Sequence, residues 1–110
     1  TQAEAFAAFL KKEMLPGTPL IVSSDMSHYL SKRQALLYDE ETRRAFQGQD
    51  AEFFLYVTDD HTDNGKSLWI AMKALGNVSW YEQDHRISSE YDGSEINTTS
   101  YLTGWWKARE

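Results

Sequence analysis

The sequence contains no cysteine among its 110 residues. This absence excludes disulfide bonds, thiolate metal ligands and cysteine nucleophiles. It is compatible with a reduced, intracellular environment, so we expect a cytoplasmic protein. Long apolar runs are absent as well. The longest, Phe53–Val57, is far shorter than the roughly 20 residues that a membrane-spanning helix needs.

Positive charge is scarce and scattered. The chain has 11 Lys and Arg residues against 17 Asp and Glu residues, which gives a formal net charge of −6 at pH 7. Nucleic acids and anionic membranes bind clustered positive charge, so we expect neither as a partner. The hydrophobic fraction of 41% and the aromatic fraction of 14% predict a packed protein, with residues 1–110 forming one domain or part of one.

Apolar residues at helical spacing predict four helices. They cover, in order, about residues 3–14, 31–47, 50–57 and 66–75. Ser31 and Gln34 have the spacing of a capping box at the start of the second helix. The third segment is short, and its apolar run Phe53–Val57 also fits a strand. Gly76 lies where a left-handed cap would end the fourth helix.

Two charge pairs have the favourable i, i+4 order on the second predicted helix. They are Asp39 with Arg43 and Glu40 with Arg44. We expect both pairs on the face of the helix that is exposed to water.

Three segments read as strands. Leu20–Val22 is a short apolar run, typical of a strand buried on both faces of a helix-covered parallel sheet. Val78–Tyr81 and Thr98–Trp106 are rich in β-branched and aromatic residues, and Asp92–Gly93 marks a turn between them. The order α-β-α-α-α-β-β predicts an α/β fold, in which helices cover a mixed, mainly parallel sheet.

The turn after the first predicted strand, Ser23–His28, is the best candidate site, because ligands of open α/β sheets collect at the carboxyl ends of strands. Asp25 and His28 are three residues apart and would share a face on a helical turn. A carboxylate beside an imidazole suits a general base or a metal ligand. In the alternative interpretation, Ser24 or Asp25 only caps a helix and His28 is a half-buried turn residue.

Asp59–Gly65 is a second candidate, for a cation. Its spacing fails as an EF-hand because Ala71, not Glu, stands at the twelfth position. Gly65–Ser67 resembles the end of a phosphate-binding loop, but the acidic residues before it would repel phosphate. The alternative is a solvated acidic loop that caps the fourth helix. The remaining histidine, His85, is interpreted as exposed.

Aromatic residues gather in the last third of the chain, where they could form a stacking surface for a ligand or part of the core. Because Trp105 and Trp106 are adjacent, they would point to opposite faces of a strand. One of them could then be exposed on a face that is covered in a larger assembly. The cluster consists of Trp80, Tyr81, Tyr101, Trp105 and Trp106.

Several of these segments together are similar to a known family. Leu20–Tyr29 resembles the signature VVSSD-x-SHY of the Memo-like family, also called AmmeMemoRadiSam system protein B, which shares its fold with class III extradiol ring-cleaving dioxygenases. Thr62–Gly65 falls where that family has a Thr-x-Cys-Gly turn opening a helix, and Gly76 where the helix closes. Ser100–Trp106 resembles the closing strand pattern S-V-V-G-Y-A. The resemblance spans the chain but only the C-terminal half of the family's length.

The resemblance implies a pocket lined by Asp25 and His28, with His28 as acid/base or metal ligand and Asp25 orienting it. Four further residues would bind the ligand with them: Ser23, Ser24, Asn64 and Gly65. Members of the family bind iron or copper, or bind peptides without catalysis. Asn64 stands where the family has a cysteine, and an amide oxygen is a poorer ligand than a thiolate for soft metals.

Two functions follow as expectations. The first is a metal-dependent redox or dioxygenase-like site, using iron or copper in the complete protein. The alternative is a non-catalytic relative that binds a peptide or small ligand in the same pocket. The family's other histidine ligands lie in an N-terminal half. The resemblance therefore implies that this half, or a partner subunit, is needed as a partner. It also implies that the present chain is inactive on its own. Without the family, an independent domain with a structural or assembly role remains.

Overall fold

The structure is a computed structural model that describes residues 1–15 and 17–108. The elements in these residues are α1 (Gln2–Glu13), α2 (Lys32–Gln47), α3 (Phe53–Tyr56), α4 (Gly65–Leu75), β1 (Val78–Ile87), α5 (Ser89–Asp92) and β2 (Ser100–Ala108). The fold mixes helices with a small sheet. The four predicted helices and the two C-terminal strands are confirmed, and the third segment is helical. Within the described ranges, no helix combines the length and the apolar character needed to cross a membrane.

The ends of the helices follow from their capping residues. The Ser31 hydroxyl accepts a hydrogen bond from the Gln34 amide at 3.2 Å, so it satisfies one of the free N–H groups of the first turn of α2. Gly76, at φ 75°, ends α4, and Gly93, at φ 74°, ends α5. The predicted turn at Asp92–Gly93 therefore closes a short helix that the sequence patterns did not indicate.

The sheet has two antiparallel strands, β1 and β2, so the prediction of a mainly parallel sheet is wrong. Leu20–Val22 belongs to no strand. Its backbone forms no hydrogen bond with the residues that the structure describes, and a strand requires a neighbour for its N–H and C=O groups. The segment is also not buried on both faces, because Val22 packs against the core while Ile21 is 87% exposed.

The chain after this segment runs beside the start of β2. The Met26 amide donates to the Ser100 carbonyl at 3.1 Å, and the Ser100 amide donates to the Ser27 carbonyl at 2.9 Å. Further along, Leu30 and Thr98 exchange two backbone hydrogen bonds in an isolated antiparallel bridge. Residues 26–30 thus form an irregular extension of the sheet, and this extension carries the candidate site.

Phe46 lies at the centre of the core. Its ring stacks on Phe54 with the centroids 5.0 Å apart, and it meets Trp80 at 4.6 Å and Trp106 at 5.4 Å. Helices α1 and α3 pack on α4, while α2 packs on β1. The remaining buried members of this core are Ala7, Met26, Ala45, Ala51, Leu68, Trp69 and Met72.

One of the two predicted charge pairs on α2 is confirmed. Glu40 and Arg44 form an ion pair at 3.7 Å. Asp39, by contrast, is buried and forms no ion pair with Arg43. Arg43 instead forms an ion pair with Glu82 of β1 at 2.6 Å. That hydrogen bond to Glu82 raises the pKa of Arg43 above its ordinary value. The prediction for Asp39 was wrong because the charge spacing on α2 could not reveal a partner on β1.

Candidate functional site

The turn Ser23–His28 follows Leu20–Val22 in the chain and lies beside the start of β2. Met26 and Ser27 are buried, whereas Ser23 is exposed and forms no hydrogen bond with the described residues. Neither Ser24 nor Asp25 caps a helix, because Ser31 is the N-cap of α2. The turn is therefore not held by a helix cap, and its contacts with other segments position it.

Residues from the second candidate segment hold this turn in place. The Ser24 hydroxyl donates to Asp63 Oδ1 at 2.7 Å, and the Asp25 amide donates to the same oxygen at 3.0 Å. In return, the Asp25 carbonyl accepts from the Thr62 hydroxyl at 3.0 Å and from the Asp63 amide at 3.1 Å. The structure thus brings together two segments that the sequence separates by almost 40 positions.

Asn64 and Gly65, which the resemblance assigns to ligand binding, have structural roles here. The Asn64 side-chain oxygen accepts from the Ser67 amide at 3.4 Å and caps α4. A Cβ at Gly65 would collide with the Phe54 carbonyl oxygen. Glycine therefore lets the start of α4 approach α3 closely, and the predicted helix-capping role of the acidic loop is confirmed at Asn64.

The side chains of Asp25 and His28 remain available. Both residues are half-buried, and the Asp25 carboxylate has no hydrogen-bond partner among the described residues. The His28 ring lies edge-on to Tyr29 with the centroids 4.4 Å apart, and its Nδ1 atom is buried without a partner in the described chain. Buried polar atoms normally have a partner, so this nitrogen is an exception among the described residues.

Asp25 and His28 do not bind each other. The structure gives no hydrogen bond between the two side chains in the described residues, and the turn is not helical. The expected sharing of one face by Asp25 and His28 depends on a helical turn, and the chain forms none at these residues. Asp25 therefore does not orient His28 through a hydrogen bond between their side chains.

The described residues alone do not fit an iron or copper ion. No group of three or more His, Cys, Asp or Glu side chains in residues 1–15 and 17–108 could hold a metal. Metal sites normally use at least three protein ligands, and His28 and Asp25 supply at most two. The side-chain oxygen of Asn64 is engaged in the helix cap of α4.

His61 of the acidic loop faces away from the turn. Its Nε2 atom lies 2.7 Å from Glu41 of α2, and its ring contacts Tyr38 at 4.5 Å and Phe53 at 5.4 Å. Its Nδ1 atom is buried without a partner in the described chain. The described loop contains no group of three or more His, Cys, Asp or Glu side chains that could hold a metal ion. His61 joins the loop to α2 through Glu41.

His85 was predicted to be exposed, and this prediction is wrong. Its side chain is only 20% exposed, and its Nε2 atom lies 2.7 Å from Oδ2 of Asp39. The other carboxylate oxygen, Oδ1, accepts from the hydroxyls of Ser27 at 2.7 Å and Ser100 at 2.8 Å. The sequence contained a signal for this burial. His85 and the buried Ile87 are two residues apart in β1, so their side chains lie on the same face of the strand.

A groove of about 430 Å³ lies beside the turn. Trp80 and Trp106 line it, with their ring centroids 5.2 Å apart, and both indole N–H groups are buried without a partner in the described residues. Trp105 points to the other face of β2, where it stacks on Tyr81 at 6.0 Å and is 50% exposed. The prediction of opposite faces is confirmed, and the cluster divides between core and surface.

Comparison of this chain with models of protein families, with curated proteins and with solved structures finds no match.

Proposed function

We propose that this chain is the C-terminal portion of a Memo-like protein, and that Ser23–His28 forms one wall of a ligand pocket. The observation that carries the proposal is the set of hydrogen bonds between Ser24–Asp25 and Thr62–Asp63. Both segments resemble family motifs in sequence, and they are in contact in space. A shared site explains that coincidence better than two independent turns.

The groups left free in this wall indicate the kind of ligand. Asp25 offers a carboxylate, which accepts hydrogen bonds and attracts positive charge. His28 offers an imidazole nitrogen that donates or accepts according to its protonation. A small molecule or peptide with an amine or amide N–H would be bound by these two groups, with Ser23 exposed at the edge of the turn.

The second wall, in this proposal, comes from the N-terminal half of the same fold or from a partner subunit. Leu20–Val22 supports this, because it is an apolar segment whose backbone forms no hydrogen bond within the described chain. Ile21 is almost fully exposed beside the apolar groove of Trp80 and Trp106. An added strand here would cover apolar surface and pair the free backbone groups.

A metal-dependent redox or dioxygenase-like site is the alternative. The availability of His28 and Asp25 supports it, because both are ligand types for iron and copper. It requires further ligands from outside the described residues. Asn64 favours the non-catalytic function, since its amide caps α4 where the family has a cysteine. We therefore propose ligand binding as the function of this chain and assign it no reaction step.

The test uses the longest natural form of the protein, purified without chelator. Its transition-metal content is measured by elemental mass spectrometry, before and after anaerobic reconstitution with ferrous iron. We compare the wild type, His28→Ala, and His61→Ala as the matched control, because the His61 ring faces Glu41 of α2. Metal near one equivalent that is lost only in His28→Ala would establish the metal-dependent alternative.

No metal in any form would favour the non-catalytic function. In both cases His28→Ala should leave the melting temperature nearly unchanged, since Nδ1 has no partner to lose in the described chain. A large fall in melting temperature with unchanged binding would mean that His28 is structural, and it would contradict the proposed pocket.

A further inference from the structure

Asp39 is a completely buried carboxylate in the middle of α2, with an exposed fraction of 0%. Burying a charge is costly unless the charge is hydrogen-bonded. Three donors meet that requirement. Ser27 and Ser100 bind Oδ1, and His85 binds Oδ2, at distances of 2.7–2.8 Å.

This set of residues contains an Asp, a His and two Ser, yet it is not a nucleophilic triad. A triad needs the serine hydroxyl to donate to the imidazole, with the carboxylate on the far side of the ring. Here both hydroxyls donate to the carboxylate itself. The carboxylate is the centre of the network, and its role is to hold the groups that surround it.

One of those groups belongs to the candidate site. Ser27 lies in the turn between Asp25 and His28, and its hydroxyl is also within 3.2 Å of the Ala35 carbonyl of α2. The Ser27 carbonyl accepts the Ser100 amide at 2.9 Å. The turn is thus fixed from two sides, by Thr62–Asp63 through Asp25 and by Asp39 through Ser27.

We propose that Asp39 is a positioning residue for the candidate site, and that His85 is the remote donor that keeps its carboxylate in place. This inference rests on the proposed function of the Ser23–His28 turn. Asp39 fixes Ser27, and Ser27 fixes the backbone that presents Asp25 and His28. His85 lies on β1, so it acts on the turn only through Asp39.

The network sets a condition on His85. A carboxylate only accepts hydrogen bonds, so the contact between Asp39 Oδ2 and His85 Nε2 is a hydrogen bond of that carboxylate only when Nε2 carries a proton. Asp84 also lies beside His85, and its Oδ1 accepts the His85 amide at 2.9 Å. Glutamine at position 85 could still donate an N–H to Asp39, whereas alanine could not.

The experiment compares His85→Ala with His85→Gln by NMR on the 110-residue chain. The chain has three histidines, so imidazole nitrogen spectra resolve each ring. In His85→Ala we expect the His28 ring signals to shift or broaden. We also expect amide exchange at Met26 and Ser100 to accelerate on the order of tenfold, because the carboxylate loses a charge-assisted donor. In His85→Gln these signals should return toward the wild type.

Glu41→Ala is the matched control, because it removes the carboxylate partner of His61 instead. It should shift the His61 signals and leave those of His28 in place. Unchanged His28 signals and unchanged exchange at Met26 in His85→Ala would overturn the inference. An equal disturbance of His28 in both histidine variants would also overturn it, because a retained donor should restore the turn. No ligand is used, so failure here is distinct from failure of the proposed pocket.

Discussion

The hydroxyls of Ser24 and Thr62 lie 2.6 Å apart, although the two residues are 38 positions apart in the chain. Thr62 is buried, and its hydroxyl also contacts the Asp25 carbonyl. This contact joins the turn Ser23–His28 to the loop before α4. Polar contacts of this kind fix geometry more than they add stability, and here they fix which side chains of the turn remain free.

Replacing Asp63 should loosen the turn at Ser24 and Asp25. Asp63 Oδ1 accepts from the Ser24 hydroxyl and the Asp25 amide, so Asp63→Ala removes two hydrogen bonds to a charged acceptor. We expect a loss of about 1 kcal/mol in the free energy of unfolding, with faster exchange of the Asp25 amide. Urea denaturation and hydrogen exchange measure both. Asp60→Ala is the control, because the Asp60 side chain forms no hydrogen bond within the described residues. An equal loss in the free energy of unfolding in the two variants would contradict the role of Asp63.

The helices and the C-terminal strands could be predicted because their signals are local. A stripe of apolar residues with a capping Ser31 or a closing Gly76 determines a helix within one segment. Leu20–Val22 shows where this approach fails. An apolar run indicates burial, but a strand also needs a partner for its backbone, and no neighbouring pattern in the sequence reveals whether one is present.

The candidate site shows the same division. The turn Ser23–His28 was found from its polar residues, but its bonding to Thr62–Asp63 depends on tertiary structure. Asp39 was assigned to the wrong face because its charge spacing with Arg43 outweighed another signal. Asp39 lies in the stripe of α2 that also contains the buried Ala35 and Thr42. A charged residue in an apolar stripe indicates a buried partner elsewhere in the chain.

Gly65→Ala separates helix propensity from close packing. In a helix interior, alanine is more favourable than glycine by about 1 kcal/mol. Gly65 is the first residue of α4, so propensity alone predicts a smaller gain in stability. The collision of a Cβ with the Phe54 carbonyl predicts the opposite, because backbone atoms of α3 and α4 would have to move apart. We expect a net loss of about 1–3 kcal/mol. A rise in the free energy of unfolding, measured by urea denaturation, would show that α3 yields without cost and would contradict the close approach.

Glu52 should account for part of the acid sensitivity of the fold. Its carboxylate accepts from Lys73 at 3.0 Å and from the Trp69 indole at 3.2 Å, and the hydrogen bond to Lys73, followed by that to Trp69, lowers the pKa of Glu52 below its ordinary value. A carboxyl group whose pKa is lowered in the folded state contributes its full stabilisation when the pH is above its pKa in the unfolded chain. This contribution is lost as the pH falls through its pKa in the folded state. Glu52→Gln should therefore show a smaller fall in melting temperature between about pH 6 and about pH 3. The control is Asp59→Asn, whose side chain makes no bond within the described chain and should leave the wild-type pH dependence intact. If Glu52→Gln followed the wild-type curve at every pH, the bonds to Lys73 and Trp69 would contribute nothing to folding.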